Sequence, residues 1–206
     1  MSGQTPTVFL VDDDPSVLKS LSRVLRSAGL AVAPFASPLE FLRRHDPGLP
    51  GCLVLDIAMP GLDGLELQSA LATSGHERPI VFLTGRADVP MSVQAMKRGA
   101  VDFLTKPVHE AALLEAVTVA LERDTAARRA GRQRAEVRRR WATLTPRERE
   151  VLGHVITGRL NKQIAAALGT AEKTVKVHRG RVMAKMQARS VAELVRLTER
   201  SGIPPR

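Results

Sequence analysis

T-V-F-L-V-D-D-D-P-S, residues 7–16, is the stretch on which the reading of this chain turns. Val8 to Val11 form a short apolar run with β-branched residues and no alternation, the pattern of a parallel strand buried on both faces. It runs straight into Asp12, Asp13 and Asp14. Like charges about 4 Å apart repel by about 4 kcal/mol at an effective dielectric near 20. Three adjacent carboxylates therefore call for a cation, a capping role or a turn into open water. A lone triplet is satisfied by the turn, so the rest of the chain has to decide.

Further along, strand-like runs recur at 30–35, 52–55, 80–83 and 101–104, and helical patterns lie between them. From Pro15 to Ala28, Val17, Leu18, Leu21, Val24 and Leu25 share one face, and Gly29 stops the helix. Similar signals predict helices at 37–44, 64–74 and 89–98 and from His109 onward. Strand and helix in alternation imply a parallel sheet with helices on both faces. Ligands of such folds sit at the carboxyl ends of the strands. Those ends carry Asp12, Asp13 and Asp14 after the first run, and Asp56 after the third. Thr84 and Gly85 follow the fourth, and Thr105, Lys106 and Pro107 the fifth. Carboxylates, a hydroxyl and an ammonium thus converge on one edge. No Gly-rich phosphate loop follows the first strand, which counts against a dinucleotide fold.

Charge divides the chain. Residues 1–121 hold 10 Lys/Arg and 13 Asp/Glu, net −3, whereas residues 122–206 hold 21 and 8, net +13. The asymmetry argues for two units, the basic one facing a polyanion. No long apolar span or secretory signal is present, so a membrane partner and an exported location are not expected. The single cysteine, Cys52, allows no internal disulfide, fits a reducing cytoplasm and reads as a small buried hydrophobe. The five histidines form no ligand-spaced cluster, and the absence of Tyr weakens a base-stacking mode of single-strand binding.

The strand-end constellation resembles the receiver domain of two-component response regulators over residues 1–121. T-G-R-A-D-V-P-M-S-V-Q-A-M-K-R-G-A-V-D-F-L-T-K-P, residues 84–107, is similar to the FixJ branch of that family. The resemblance implies a flavodoxin-like, five-stranded parallel sheet in the order 2-1-3-4-5. It implies Asp56 as phosphoacceptor, with Asp12, Asp13, Asp56 and the Ala58 carbonyl around Mg²⁺ or Mn²⁺. Thr84 and Lys106 would contact the phosphoryl oxygens, and Phe103 would be the aromatic that reorients. The Lys106–Pro107 bond would be cis. These roles suit the chemistry, because a hard cation takes oxygen ligands and a carboxylate can attack phosphorus. Asp14, just before Pro15, is left to cap the first helix. Asp63 and Gly64 read as a turn and a helix entry.

In the basic half, residues 122–142 form an arginine-rich run expected to continue the preceding helix as a linker, largely a solvated face. Its apolar face, good from Leu113 to Leu121, decays beyond, and Gly131 interrupts it. Thr145-Pro146-Arg147-Glu148 is a capping box with Pro at the first helical position. Asn161 is expected to cap a helix over 162–168, Gly169 to make a tight turn, and 171–186 to form a longer basic helix. Ser190 is expected to cap a last helix. Two helices joined by a Gly turn, the second basic, read as helix-turn-helix.

L-T-P-R-E-R-E-V-L, and then G-R-L-N-K-Q-I-A-A-A-L-G-T-A-E-K-T-V-K-V-H-R-G-R-V-M-A-K-M, are similar to LuxR-type DNA-binding domains, which are all-α four-helix modules. By that resemblance Lys173, Thr174, Lys176, Val177, Arg179 and Arg181 face DNA, while Gly180 departs from the bulkier residue common in the family. The chain as a whole reads as a receiver (1–121), a basic helical linker (122–142) and a LuxR-type domain (143–206). Expected partners are a sensor histidine kinase, double-stranded DNA and a second copy once phosphorylated, paired through a face that includes Met91, Ala95, Val108 and Ala111. No enzymatic activity is expected beyond taking up and slowly losing phosphate at Asp56. An RNA-binding antitermination regulator and a free-standing aspartyl-phosphate phosphatase are the rival readings.

Overall fold

The computed structural model describes residues 5–85 and 89–203, with the backbone alone at 89–92. Its chain divides into two compact units, Met1–Arg128 and Arg129–Arg206. The first alternates β1 (Thr7–Val11), α1 (Pro15–Ser27), β2 (Ala31–Phe35), α2 (Pro38–Arg44), β3 (Gly51–Asp56), α3 (Gly64–Thr73), β4 (Ile80–Thr84), α4 (Val89–Lys97) and β5 (Asp102–Thr105). All strand pairs are parallel, and the order is β2-β1-β3-β4-β5. This is the sheet the sequence predicts.

The unbroken apolar runs have a direct cause. Phe9, Val11, Leu53, Leu55, Ile80 and Phe82 enter one core cluster, while Val8, Leu10, Cys52, Val54, Val81 and Leu83 enter another. Side chains alternate faces along a strand, so a sheet covered on both sides needs apolar residues at every position. On the second face α1 buries Leu21 and Leu25, worth about 1.5–3 kcal/mol each if fully removed from water. Asp14 caps that helix, accepting from the Ser16 backbone N–H at 2.8 Å, with Pro15 first in the helix. Ala95, expected on a pairing face, is instead fully buried in the first cluster. Met91 lies outside the described side chains.

α5 (Glu110–Ala142) runs from the first unit into the second. Within the first unit Asp124 is buried and accepts from the Gly51 N–H at 2.9 Å and from Arg128 Nε at 2.9 Å. Arg128 in turn donates to the Gly48 and Leu49 carbonyls at 2.8 and 2.6 Å. Residues of α5 beyond Leu121 thereby bind the loop that leads into β3.

The second unit joins the end of α5 to α6 (Pro146–Ile156), α7 (Asn161–Ala167), α8 (Glu172–Met186) and α9 (Val191–Arg200) around one core. The expectation of a decayed apolar face is corrected here. Val137 is buried and Trp141 packs against the same core, so the arginine-rich turns carry a narrow apolar stripe. α6 has the predicted capping box, with Thr145 Oγ1 and Glu148 Oε2 each accepting a backbone N–H. The expected cap of α7 is also corrected. Asn161 is the first helical residue, and exposed Leu160 occupies the cap position without a side-chain hydrogen bond.

Candidate functional site

The site grows from the register of the strands. Val11 lies beside Leu55, Asp56 beside Leu83, and Thr84 beside Thr105. The residues that follow β1, end β3 and β4, and follow β5 therefore meet at one edge. Gly64 tightens this edge from the helix side. A Cβ there would stand 2.5 Å from the Asp56 carbonyl oxygen, so only glycine lets the start of α3 approach so closely.

Carboxylate oxygens of Asp12, Asp13 and Asp56 all lie within 4.8 Å of one another. Asp12 is fully buried and Asp56 nearly so, while Asp13 is exposed. Lys106 Nζ stands 2.6 Å from Asp12 Oδ2 and 3.2 Å from Asp56 Oδ2, joining two of the three acids. The Lys106–Pro107 peptide is cis. Asp56 Oδ1 is buried and accepts no hydrogen bond among the described residues. Three carboxylates that include an orphan acceptor are the oxygen donor set a hard divalent cation takes, so the residues fit such an ion.

Burial raises the Asp56 pKa above the ordinary carboxylate value; the Lys106 charge opposes the rise and the Asp12 charge adds to it. For Lys106, burial works against the ammonium, but the hydrogen bond to Asp12 and the charges of Asp56 and Asp12 outweigh it and leave the pKa raised. Thr84 is buried at the end of β4, and its carbonyl accepts from the Lys106 N–H at 2.7 Å. Phe103 is half-buried on β5, its ring centroid 6.4 Å from that of Phe82. Ala58 sits exposed in the loop after β3.

The second candidate site is α8. Val175, Val182 and Met186 are buried, and Lys173, Thr174, Lys176, Val177 and Arg181 are exposed. Val177 is 48% exposed and so offers an apolar surface among these polar neighbours. Gly169, at φ 60° in the turn between α7 and α8, takes a left-handed conformation suited to glycine. Arg179 differs from its neighbours: it is half-buried, and its Nη1 donates to Asn161 Oδ1 at 2.9 Å. The sequence pattern marks Asn161 as a cap and the LuxR-type resemblance implies Arg179 as a DNA contact, and the structure joins the two. Such a pairing across 18 residues has no helical periodicity to reveal it. A Cβ at Gly180 would meet open space, so glycine is not required there by packing.

Residues 8–118 match the response regulator receiver domain family, and residues 142–198 match the bacterial regulatory proteins of the luxR family. Nodulation protein W of Bradyrhizobium diazoefficiens is 50% identical over 196 residues, 95% of this chain and 86% of its own length. The transcriptional regulatory protein FixJ of Azorhizobium caulinodans is 44% identical over 201 residues, 96% of this chain and 94% of its own. A low-resolution structure of the response regulator StyR superposes with a TM-score of 0.83 at 48% identity, covering 95% of this chain and 98% of that one. The luxR match of the second module gives the RNA-binding alternative no support.

Proposed function

We propose, for a chain that belongs to the response regulators joining a receiver to a LuxR-type DNA-binding domain, that Asp56 is the phosphoacceptor through which a sensor histidine kinase controls DNA binding. The observation that carries this reading is the cluster of Asp12, Asp13 and Asp56 bridged by Lys106 at the carboxyl edge of the sheet. One Asp56 oxygen attacks the phosphorus of a phosphohistidine. The P–N bond breaks, its electron pair leaves with the imidazole nitrogen, and an acyl phosphate remains. Lys106 exchanges its contact with Asp56 Oδ2 for a phosphoryl oxygen, and its charge offsets the added negative charge. Thr84 turns its hydroxyl to another phosphoryl oxygen.

Asp12, Asp13, Asp56 and the Ala58 carbonyl would hold Mg²⁺ or Mn²⁺, which when bound supplies charge neutralisation for the incoming phosphoryl group. Phe103 follows Thr84 by turning inward, which reshapes the surface of α4, β5 and α5 and favours pairing of two copies. Pairing presents two α8 helices to half-sites spaced by about one duplex turn of ~34 Å or a multiple. Lys173, Thr174, Lys176, Val177 and Arg181 supply the contacts. Arg179 reaches phosphate from the position that Asn161 gives it. The functional blocks are the receiver (1–121), a connecting helix (122–142) and the DNA-binding domain (143–206). DNA and a kinase as partners put the protein in the cytoplasm. No enzymatic activity is assigned beyond self-phosphorylation and slow dephosphorylation. Mass spectrometry after treatment with a small phosphodonor in Mg²⁺ tests the assignment: wild type gains one phosphoryl group, and a full adduct on Asp56→Asn would sink it.

A further inference from the structure

The last turns of α5 hold more positive charge than the fold uses. Residues 129–140 contain six arginines and one acid, Glu136. Three of the arginines have structural roles. Arg138 Nε donates to the Ser201 carbonyl at 3.0 Å, and Arg139 and Arg140 both pair with Glu136. The last two also lie in the final turn, where the helix dipole favours cations. Arg129, Arg132 and Arg134 are exposed and have no hydrogen-bond or ion-pair partner among the described residues, and the same holds for Arg200 at the end of α9. Like charges at i,i+3 and i,i+4, as at 129/132 and 134/138, destabilise a helix by about 0.2–0.5 kcal/mol per pair. Glu136, four residues after Arg132, is the one acid of this stretch placed to offset it.

The free guanidiniums are not scattered. Arg132, Arg134 and Arg200 line one groove of about 790 Å³ within the second unit, together with Arg139 and Arg140. The one carboxylate among its lining residues, Glu136, is already taken up by Arg139 and Arg140. Val137 and Leu197 supply apolar lining. Arg134 and Arg200 also border a second hollow of about 610 Å³, whose lining adds Arg138 and one carboxylate, Glu199. Small-molecule sites have volumes of about 300–1,000 Å³, mostly apolar walls and a few convergent polar groups. Guanidinium forks match phosphate oxygens two at a time.

We propose that this groove binds the phosphate groups of a phosphate ester, with Arg132, Arg134 and Arg200 as the recognising side chains. Two sources carry that chemistry, a free nucleotide and the DNA backbone beyond the half-site. The second source, but not the first, rests on the DNA-binding reading of α8.

The test uses the full chain and the double variant Arg132→Gln/Arg200→Gln. Neither arginine makes a hydrogen bond or ion pair that holds the fold. The unfolding transition of the second unit, followed by Trp141 fluorescence, should therefore shift only slightly, through relief of the 129/132 repulsion and loss of the Arg200 charge from the last turn of α9. Calorimetric titration with ATP and with pyrophosphate reads the first source, and the salt dependence of affinity for a duplex reads the second. If the ligand is free, the variant binds both probes at least tenfold more weakly. If the ligand is DNA, the slope of log affinity against log salt falls by about 1.8, at about 0.9 for each phosphate no longer neutralised. Lys176→Ala, which weakens the binding of α8 to DNA, should leave ATP binding intact, so the two sites fail separately. A double variant equal to wild type in both assays overturns the proposal, as does, in the duplex assay, Arg132→Lys/Arg200→Lys losing as much slope as the Gln pair, since retained charge should keep most of the slope.

Discussion

Replacing Asp13 with Asn should stabilise the metal-free protein while removing its response to Mg²⁺. Asp13 is the one acid of the cluster without an ion pair to Lys106, and its oxygens lie within 4.8 Å of those of Asp12 and Asp56. At 4.8 Å a like-charge pair costs about 3.5 kcal/mol at an effective dielectric near 20, and about 0.9 kcal/mol in bulk water. Asp13 is exposed, so solvent screening keeps the relief on neutralising it near the lower limit, about 1 kcal/mol. With metal the balance inverts. Wild type gains about 2.7 kcal/mol at a hundredfold excess of Mg²⁺ over its dissociation constant, and a variant short of one ligand gains far less. The two stability curves should therefore cross between EDTA and excess Mg²⁺.

Urea unfolding followed by far-UV circular dichroism is the assay. The sole tryptophan, Trp141, packs in the core of the second unit, so its fluorescence does not report the receiver. An Asp13→Asn protein less stable than wild type in EDTA would refute the reasoning, as would an equal gain of both proteins in Mg²⁺.

Three further outcomes follow from the geometry. Asp124→Ala leaves the Gly51 N–H without its acceptor and Arg128 with only backbone carbonyls, and should cost about 1–3 kcal/mol in the receiver by urea unfolding followed by circular dichroism. Leu160→Ser supplies the hydroxyl that the α7 cap lacks, and should raise the stability of the second unit by about 0.5–2 kcal/mol in Trp141-detected melts. Glu148 is held below its ordinary pKa of 4.5 chiefly by the hydrogen bond from Lys185, while burial opposes the shift. A depressed carboxylate pKa gives stability that is complete above about pH 4.5 and is lost as pH falls through the lower folded value. Glu148→Gln should cost about 1–3 kcal/mol at pH 7 and flatten this acid dependence of the Trp141 transition.

Much of this protein was legible because its chemistry sits where the chain pattern changes. Asp12, Asp56, Thr84 and Lys106 each stand at the end of an apolar run, so locating the strands located the pocket. Caps at Asp14, Thr145 and Ser190 were readable for the same reason, being local. What escaped was non-local or masked by composition. Asp124 and Arg128 show an i,i+4 spacing, but their purpose lies in the loop at 47–51, more than 70 residues away. Val137 and Trp141 were hidden among arginines, whose density lowers any apolar periodicity. Ala95 has the small size suited to a pairing surface and to a packed interior alike, and burial decided for the interior.

The central claim is that phosphate on Asp56 controls DNA binding by the second unit. Its most direct test is the affinity of the full chain for a duplex selected from genomic DNA, at fixed salt, before and after treatment with a small phosphodonor in Mg²⁺. A coupling of about 1.4–3 kcal/mol corresponds to a gain of roughly 10- to 150-fold, and Asp56→Asn should show none of it. Equal affinity for the phosphorylated and unphosphorylated wild type, or the same gain in Asp56→Asn, would contradict the account.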